Sequence, residues 1–131
     1  MKQENLVLVQ GEKGMELPFE TGNWVLLKGE EGYSPVETLA ACVGACGAYV
    51  YQSILKNSKI DYQFEKVHVT YKRDETKKSE PLSMVSLVFD IRVAEEDQGK
   101  AERGLKMIGA HCPVMQSLDP AIEISEIVNF L

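Results

Sequence analysis

Three cysteines and one histidine carry most of the chemistry open to this 131-residue chain. Cys42 and Cys46 lie in a stretch with no charged residue between Glu37 and Lys56, and Cys112 stands far downstream in His111-Cys112-Pro113-Val114. Four residues of α-helix advance about 400°, so Cys42 and Cys46 differ by about 40° and share a face. Both can point toward one site. They are poor partners for each other, because a rigid helix rarely presents two sulfurs at the disulfide dihedral. The plain structural alternative is that both are small core thiols, and for Cys42 that is the preferred reading. Cys112 precedes a proline suited to the first position of a helical turn. There the free amides and the positive end of the helix dipole favour a thiolate, and a protonated His111 can assist. The alternative is a buried thiol at a turn. A thiolate attacks oxidants and disulfides, so the sequence directs attention to redox chemistry. Zinc held by Cys42, Cys46, His111 and Cys112 has suitable ligand types. It lacks the short paired spacing of a finger or ribbon.

These sulfurs need elements to position them. Ser34-Pro35-Val36-Glu37 is a strong helix start: a capping serine, proline at the first helical position, and a glutamate that completes a capping box. The spacing predicts a helix from Ser34 to about Lys56. It contains Ala41, Gly44, Ala45, Gly47 and Ala48, and each interior glycine costs about 1 kcal/mol relative to alanine. That pattern predicts close packing against another helix, such as a partner subunit's copy. The uncharged run Thr38 to Leu55 approaches the length of a membrane span, but its small and polar residues favour a buried central helix.

Upstream, Leu6 to Val9, Met15 to Glu20 and Trp24 to Leu27 read as short strands, with Gly11 and Gly14 bracketing a hairpin turn. Downstream, Val67 to Tyr71 and Val85 to Val93 alternate as half-buried strands joined through Asp74 to Ser79, with His68 on the polar face. Glu95 to Ala110 shows helical spacing at Ala101, Leu105 and Ile108. Asp119-Pro120 marks a turn, and Ile122 and Ile124 open a last strand. The expectation is one α+β domain over residues 1–131.

The net charge of −6 argues against a nucleic-acid partner. The cluster Lys72, Arg73, Lys77 and Lys78 is interleaved with Asp74, Glu75 and Glu80, as in a solvated loop. The first residues lack a charged-then-apolar leader pattern, and three cysteines cannot build a disulfide framework. A cytoplasmic, reducing setting is therefore expected, with no membrane association.

Ser34-Pro35-Val36-Glu37-Thr38-Leu39-Ala40-Ala41, Cys46 eleven residues after the proline, and Cys112-Pro113-Val114 together resemble the OsmC/Ohr family of osmotically inducible and organic hydroperoxide resistance proteins. The similarity spans nearly the whole chain. It implies antiparallel sheets packed on a central cysteine-bearing helix in an intertwined homodimer. It implies a thiol-dependent peroxidase that reduces organic hydroperoxides without a cofactor or metal. Matched residue by residue, Cys46 is the peroxidatic thiol that becomes a sulfenic acid. Cys112 is the resolving thiol that condenses with it, and an external dithiol resets the pair. The family also uses an N-terminal arginine to hold the thiolate, paired to a glutamate directly after the proline. This chain has no arginine before Arg73. Lys13 is the available cation, and the glutamate is Glu37, one residue later. The expected site is thus catalytic at Cys46, Cys112 and Glu37, with Lys13, His111 and Cys42 binding around them. The alternative on the same scaffold is a non-catalytic small-molecule-binding module.

Overall fold

The computed structural model describes residues 1–131, which divide into two compact units, Met1–Leu39 and Ala40–Leu131.

In the first unit, β1 (Val9–Gly11), β2 (Gly14–Leu17) and β3 (Trp24–Val25) form an antiparallel sheet in chain order. Gly14 closes the hairpin at φ 126°, a conformation that side chains disfavour. All three strands are shorter than their sequence patterns predict. β1 begins only at Val9, because β2 offers it three partners, and Leu6, Val7 and Leu8 are left exposed. β2 stops at Leu17 because Pro18 has no N–H to continue a ladder. The capping box forms as predicted: the Ser34 amide donates to Glu37 Oε1 at 2.9 Å, and the Glu37 amide donates to Ser34 Oγ at 3.1 Å. It launches α1 (Pro35–Asn57), whose body belongs to the second unit.

α1 buries Ala40, Val43, Gly44, Gly47, Ala48, Tyr51, Ile54 and Leu55, one continuous helical face. This face lies on a second sheet of β4 (Tyr62–Arg73), β5 (Leu82–Val93) and β6 (Glu123–Phe130), in that order. Val85, Leu87, Phe89 and Ile91 alternate along β5 and are fully buried. The Phe89 ring packs 5.1 Å from Tyr51 and 5.9 Å from Phe64. Tyr51 also donates its hydroxyl to the Ala101 carbonyl at 2.7 Å. Burial holds its pKa far above the usual phenol range, so it remains a donor. The antiparallel arrangement expected of the sheets holds at β4–β5, whereas β6 runs parallel to β5. The chain reaches β6 through a helical crossover, the kind of connection a parallel pair needs.

Two predictions about the helices are corrected. The small residues of α1 were expected to meet another helix. Gly44 instead faces this molecule's own sheet, where a Cβ would stand 2.6 Å from Val69 Cγ2, and Gly47 lies between the sheet residue Leu87 and Met115 of the short helix Pro113–Gln116. Ala41 and Ala45 are exposed. The predicted helix Glu95 to Ala110 is broken into α2 (Glu95–Arg103), a 3₁₀ turn (Gly104–Met107) and α3 (Ile108–His111). Gly104 lies at the break, and a Cβ there would stand 3.0 Å from Ile54 Cγ2 of α1. α1 is long and apolar enough to cross a membrane by length and composition, and its apolar face is taken up by the sheet.

The outward face of this sheet holds an unpredicted polar network. Asp90 is only 5% exposed, accepts from Asn129 Nδ2 at 3.0 Å and pairs with His68 Nε2 at 2.8 Å. His68 is exposed, as its strand alternation predicts, and is also the hydrogen-bond partner of a buried carboxylate.

Candidate functional site

Cys46 sits on α1 where the buried face gives way to the exposed one. Val43 and Gly47 beside it are buried, Ala45 and Tyr49 are exposed, and Cys46 itself is half-buried. Cys42, a further 40° round the helix, is exposed. Its preferred reading as a core thiol is corrected, because it lies opposite the face that packs on the sheet. The two helix cysteines share a side but not an environment.

Cys112 is fully buried. It is the N-cap of α4 (Pro113–Gln116), with φ −94° and ψ 109°, and Pro113 takes the first helical position as its sequence context predicts. The loop between α3 and α4 brings Cys112, more than sixty residues on in the chain, into the neighbourhood of Cys46, close enough for the two thiols to influence each other's titration. The expectation of a stabilised thiolate at Cys112 is corrected. Burial raises its pKa, the adjoining Cys46 thiol raises it further, and the amides of Met115 and Val114 oppose this without prevailing. The helix it caps is a single turn with no side-chain cap hydrogen bond, and desolvation outweighs its amides. Cys112 is a protonated thiol sealed behind a more accessible one.

Glu37 is occupied at the start of α1. Its pKa is lowered chiefly by the hydrogen bond from the Ser34 amide. Lys13 lies in the first unit, ion-paired with Glu31. His111 is exposed at the end of α3, next to Cys112. It lines a groove of about 380 Å³ with Val50, Ser53, Ile54, Asn57, Ser58 and Met107. Val50, Ser53 and Asn57 continue along α1 on the stripe that begins at Cys46, so the groove runs from the neighbourhood of the thiol toward the helix C-terminus. Cys42, Cys46, Cys112 and His111 do not converge as a metal site: no group of three or more ligating side chains forms.

Sequence reasoning missed the groove and missed Met115, whose side chain reaches α1 beside Cys46. The available signal was Pro113, which marks a helical turn and makes Met115 its third residue, the usual donor to an N-cap.

Residues 28–126 match the profile of the family described as OsmC-like protein. Among curated proteins no sequence is significantly similar. Among solved structures, an OsmC-like protein of Mycoplasma pneumoniae superposes with a TM-score of 0.75 at 15% identity, covering 99% of this chain and 96% of that one. A protein of Aquifex aeolicus VF5 gives 0.75 at 22% identity, covering 100% and 99%. The organic hydroperoxide resistance protein OhrB of Bacillus subtilis gives 0.62 at 16% identity, covering 95% and 96%. At such identities the likeness is one of fold.

Proposed function

This chain belongs to the OsmC-like protein family, and from that premise we propose that it is a thiol-dependent peroxidase acting on organic hydroperoxides. The observation that carries the reading is the pairing of a half-buried Cys46 with a fully buried Cys112 beside it. Peroxide meets the accessible sulfur first. The Cys46 thiolate attacks the outer peroxide oxygen, the O–O bond breaks, and the alkoxide leaves as alcohol after taking a proton. Cys46 becomes a sulfenic acid. The Cys112 sulfur then attacks the Cys46 sulfur and loses its proton, and water leaves as the disulfide forms. An external dithiol reduces that bond by exchange.

The environments of the two sulfurs suit this order. A thiol with a raised pKa is a poor first nucleophile in solvent. It serves as a resolving group because its target is an adjoining sulfenic acid, formed where effective concentration is high. The groove beside the Cys46 stripe offers Val50, Ile54 and Met107 to a carbon chain, in keeping with an organic substrate. Within the same proposal, Cys42 and His111 flank the reaction. The protein acts as a homodimer in a reducing cytoplasm, without metal or cofactor. The exposed Tyr49, 72% accessible on the open side of α1, is in keeping with a second copy seated there.

The test uses two variants. With Cys112→Ser, an organic hydroperoxide is expected to leave a sulfenic acid at Cys46 that dimedone traps. With Cys46→Ser, peroxide consumption in a dithiol-coupled assay is expected to fall at least about a hundredfold, as for loss of a nucleophile. Turnover by Cys46→Ser at the native rate contradicts the proposal. The groove also favours a second reading, a small-molecule-binding module. That reading predicts a ligand retained in native mass spectra and unaffected by Cys46→Ser.

A further inference from the structure

Gly47 follows Cys46 in α1 and is buried. A Cβ at this position would stand 3.0 Å from Leu87 Cδ1 and 3.1 Å from Met115 Cε, closer than ordinary van der Waals contact, with Phe89 Cζ at 3.7 Å. Met115 is the third residue of α4 and is 8% exposed. The polar bonds of α4 run elsewhere. Gln116 Nε2 donates to the Gly109 carbonyl at 2.8 Å, and the Gln116 amide donates to the Cys112 carbonyl at 3.0 Å. The Met115 side chain reaches α1 at the residue beside Cys46, while its backbone lies three residues after Cys112 in the same turn. One residue thus links the neighbour of Cys46 on α1 to the turn that begins at Cys112.

We propose that Gly47 and Met115 form a spacer that sets the separation of the Cys46 and Cys112 sulfurs, making Gly47 a positioning residue for their disulfide. The inference rests on the reading of these thiols as a redox pair. A side chain at position 47 pushes the Met115 tip outward, and a one-turn helix follows its only long buried side chain. Disulfide geometry is narrow in length and dihedral, so a displacement of a few tenths of an ångström penalises the bond. Gly44 provides the contrast. A Cβ there meets Val69 Cγ2 at 2.6 Å, a harder clash against a stiff β-branched side chain, yet its neighbours are Val69, Leu87 and Val67, none of them in α4. Gly44 serves helix-on-sheet packing, whereas Gly47 also serves the thiols.

The experiment equilibrates the full-length protein with reduced and oxidised glutathione and reads the Cys46–Cys112 disulfide by mass after alkylation. Two protein thiols plus oxidised glutathione give one protein disulfide plus two reduced glutathiones, so no peroxide enters the measurement. Gly47→Ala is expected to lower this equilibrium constant about tenfold. Met115→Leu, which shortens the spacer, is expected to restore most of it in the double variant. Gly44→Ala is expected to lower the melting temperature while leaving the constant near that of the native protein. An unchanged constant in Gly47→Ala, an equal fall in Gly44→Ala, or no recovery in the double variant overturns the proposal. If Gly47→Ala does not fold, Met115→Ala carries the test: it removes the spacer and is expected to lower the constant, and no change overturns the proposal. A native protein that forms no such disulfide overturns the redox reading as well. A native disulfide that the variants match overturns only the spacer.

Discussion

At the residue scale the three cysteines differ by environment more than by type. Cys42 is exposed, Cys46 half-buried and Cys112 buried with a raised pKa. Timed alkylation of the native protein with iodoacetamide, followed by peptide mapping, is therefore expected to label Cys42 first, Cys46 next and Cys112 last. Cys112 reacting first would contradict the account of its burial. The sequence displayed all three positions and their chemical type. It did not display their solvent exposure, because a helix with apolar or small residues on nearly every side gives no clear phase. Glu126 illustrates a second effect that lies outside any local pattern. It is half-buried on β6, and desolvation raises its pKa. A carboxyl whose folded pKa is raised favours the folded state at low pH and loses that contribution as pH rises through the folded value. Glu126→Gln is accordingly expected to raise the melting temperature at pH 7. The difference should shrink in acid, as thermal unfolding across pH checks.

At the element scale, local signals proved reliable where they specify backbone and less so where neighbours decide. Ser34-Pro35-Val36-Glu37 predicted the start of α1 because a capping box is a local structure. Ser34→Ala is expected to cost about 1 kcal/mol of stability in denaturant unfolding, with Gly at the same position costing less. The long hairpin was legible from alternation, although its strands run further than the pattern, to Tyr62–Arg73 and Leu82–Val93. The break after Arg103 was not legible, since it depends on the approach of Gly104 to Ile54 of a different helix. Nor was the link between strands at Asp90, because His68 and Asn129 come from distant segments. Hydrogen bonds from Asn129 and then His68 lower the Asp90 pKa. That contribution to stability is present above the unfolded value of about 3.8 and is lost as pH falls through the lower folded value. Asp90→Asn is therefore expected to melt lower than the native protein at pH 7 and to converge with it in acid. A gap independent of pH would point to packing instead of charge.

At the scale of the whole molecule, what had to be brought together was a helix thiol and a turn thiol separated by half of the chain. The topology does this with a sheet that buries one face of α1 and a helical crossover that returns Cys112 to its side before β6 is laid down. The resemblance to the OsmC/Ohr family implied that meeting, while the family match and the fold comparisons bear on the family and the fold. It did not anticipate how the glycines of α1 are used, because only folded neighbours distinguish a sheet from a second helix as the surface in contact. The central claim is that the two sulfurs act as one redox couple toward an organic hydroperoxide. The most direct measurement adds one equivalent of tert-butyl hydroperoxide to the fully reduced protein and maps the cysteines by mass spectrometry. The account predicts a Cys46–Cys112 disulfide with Cys42 still free; three free thiols after the peroxide has been offered would contradict it.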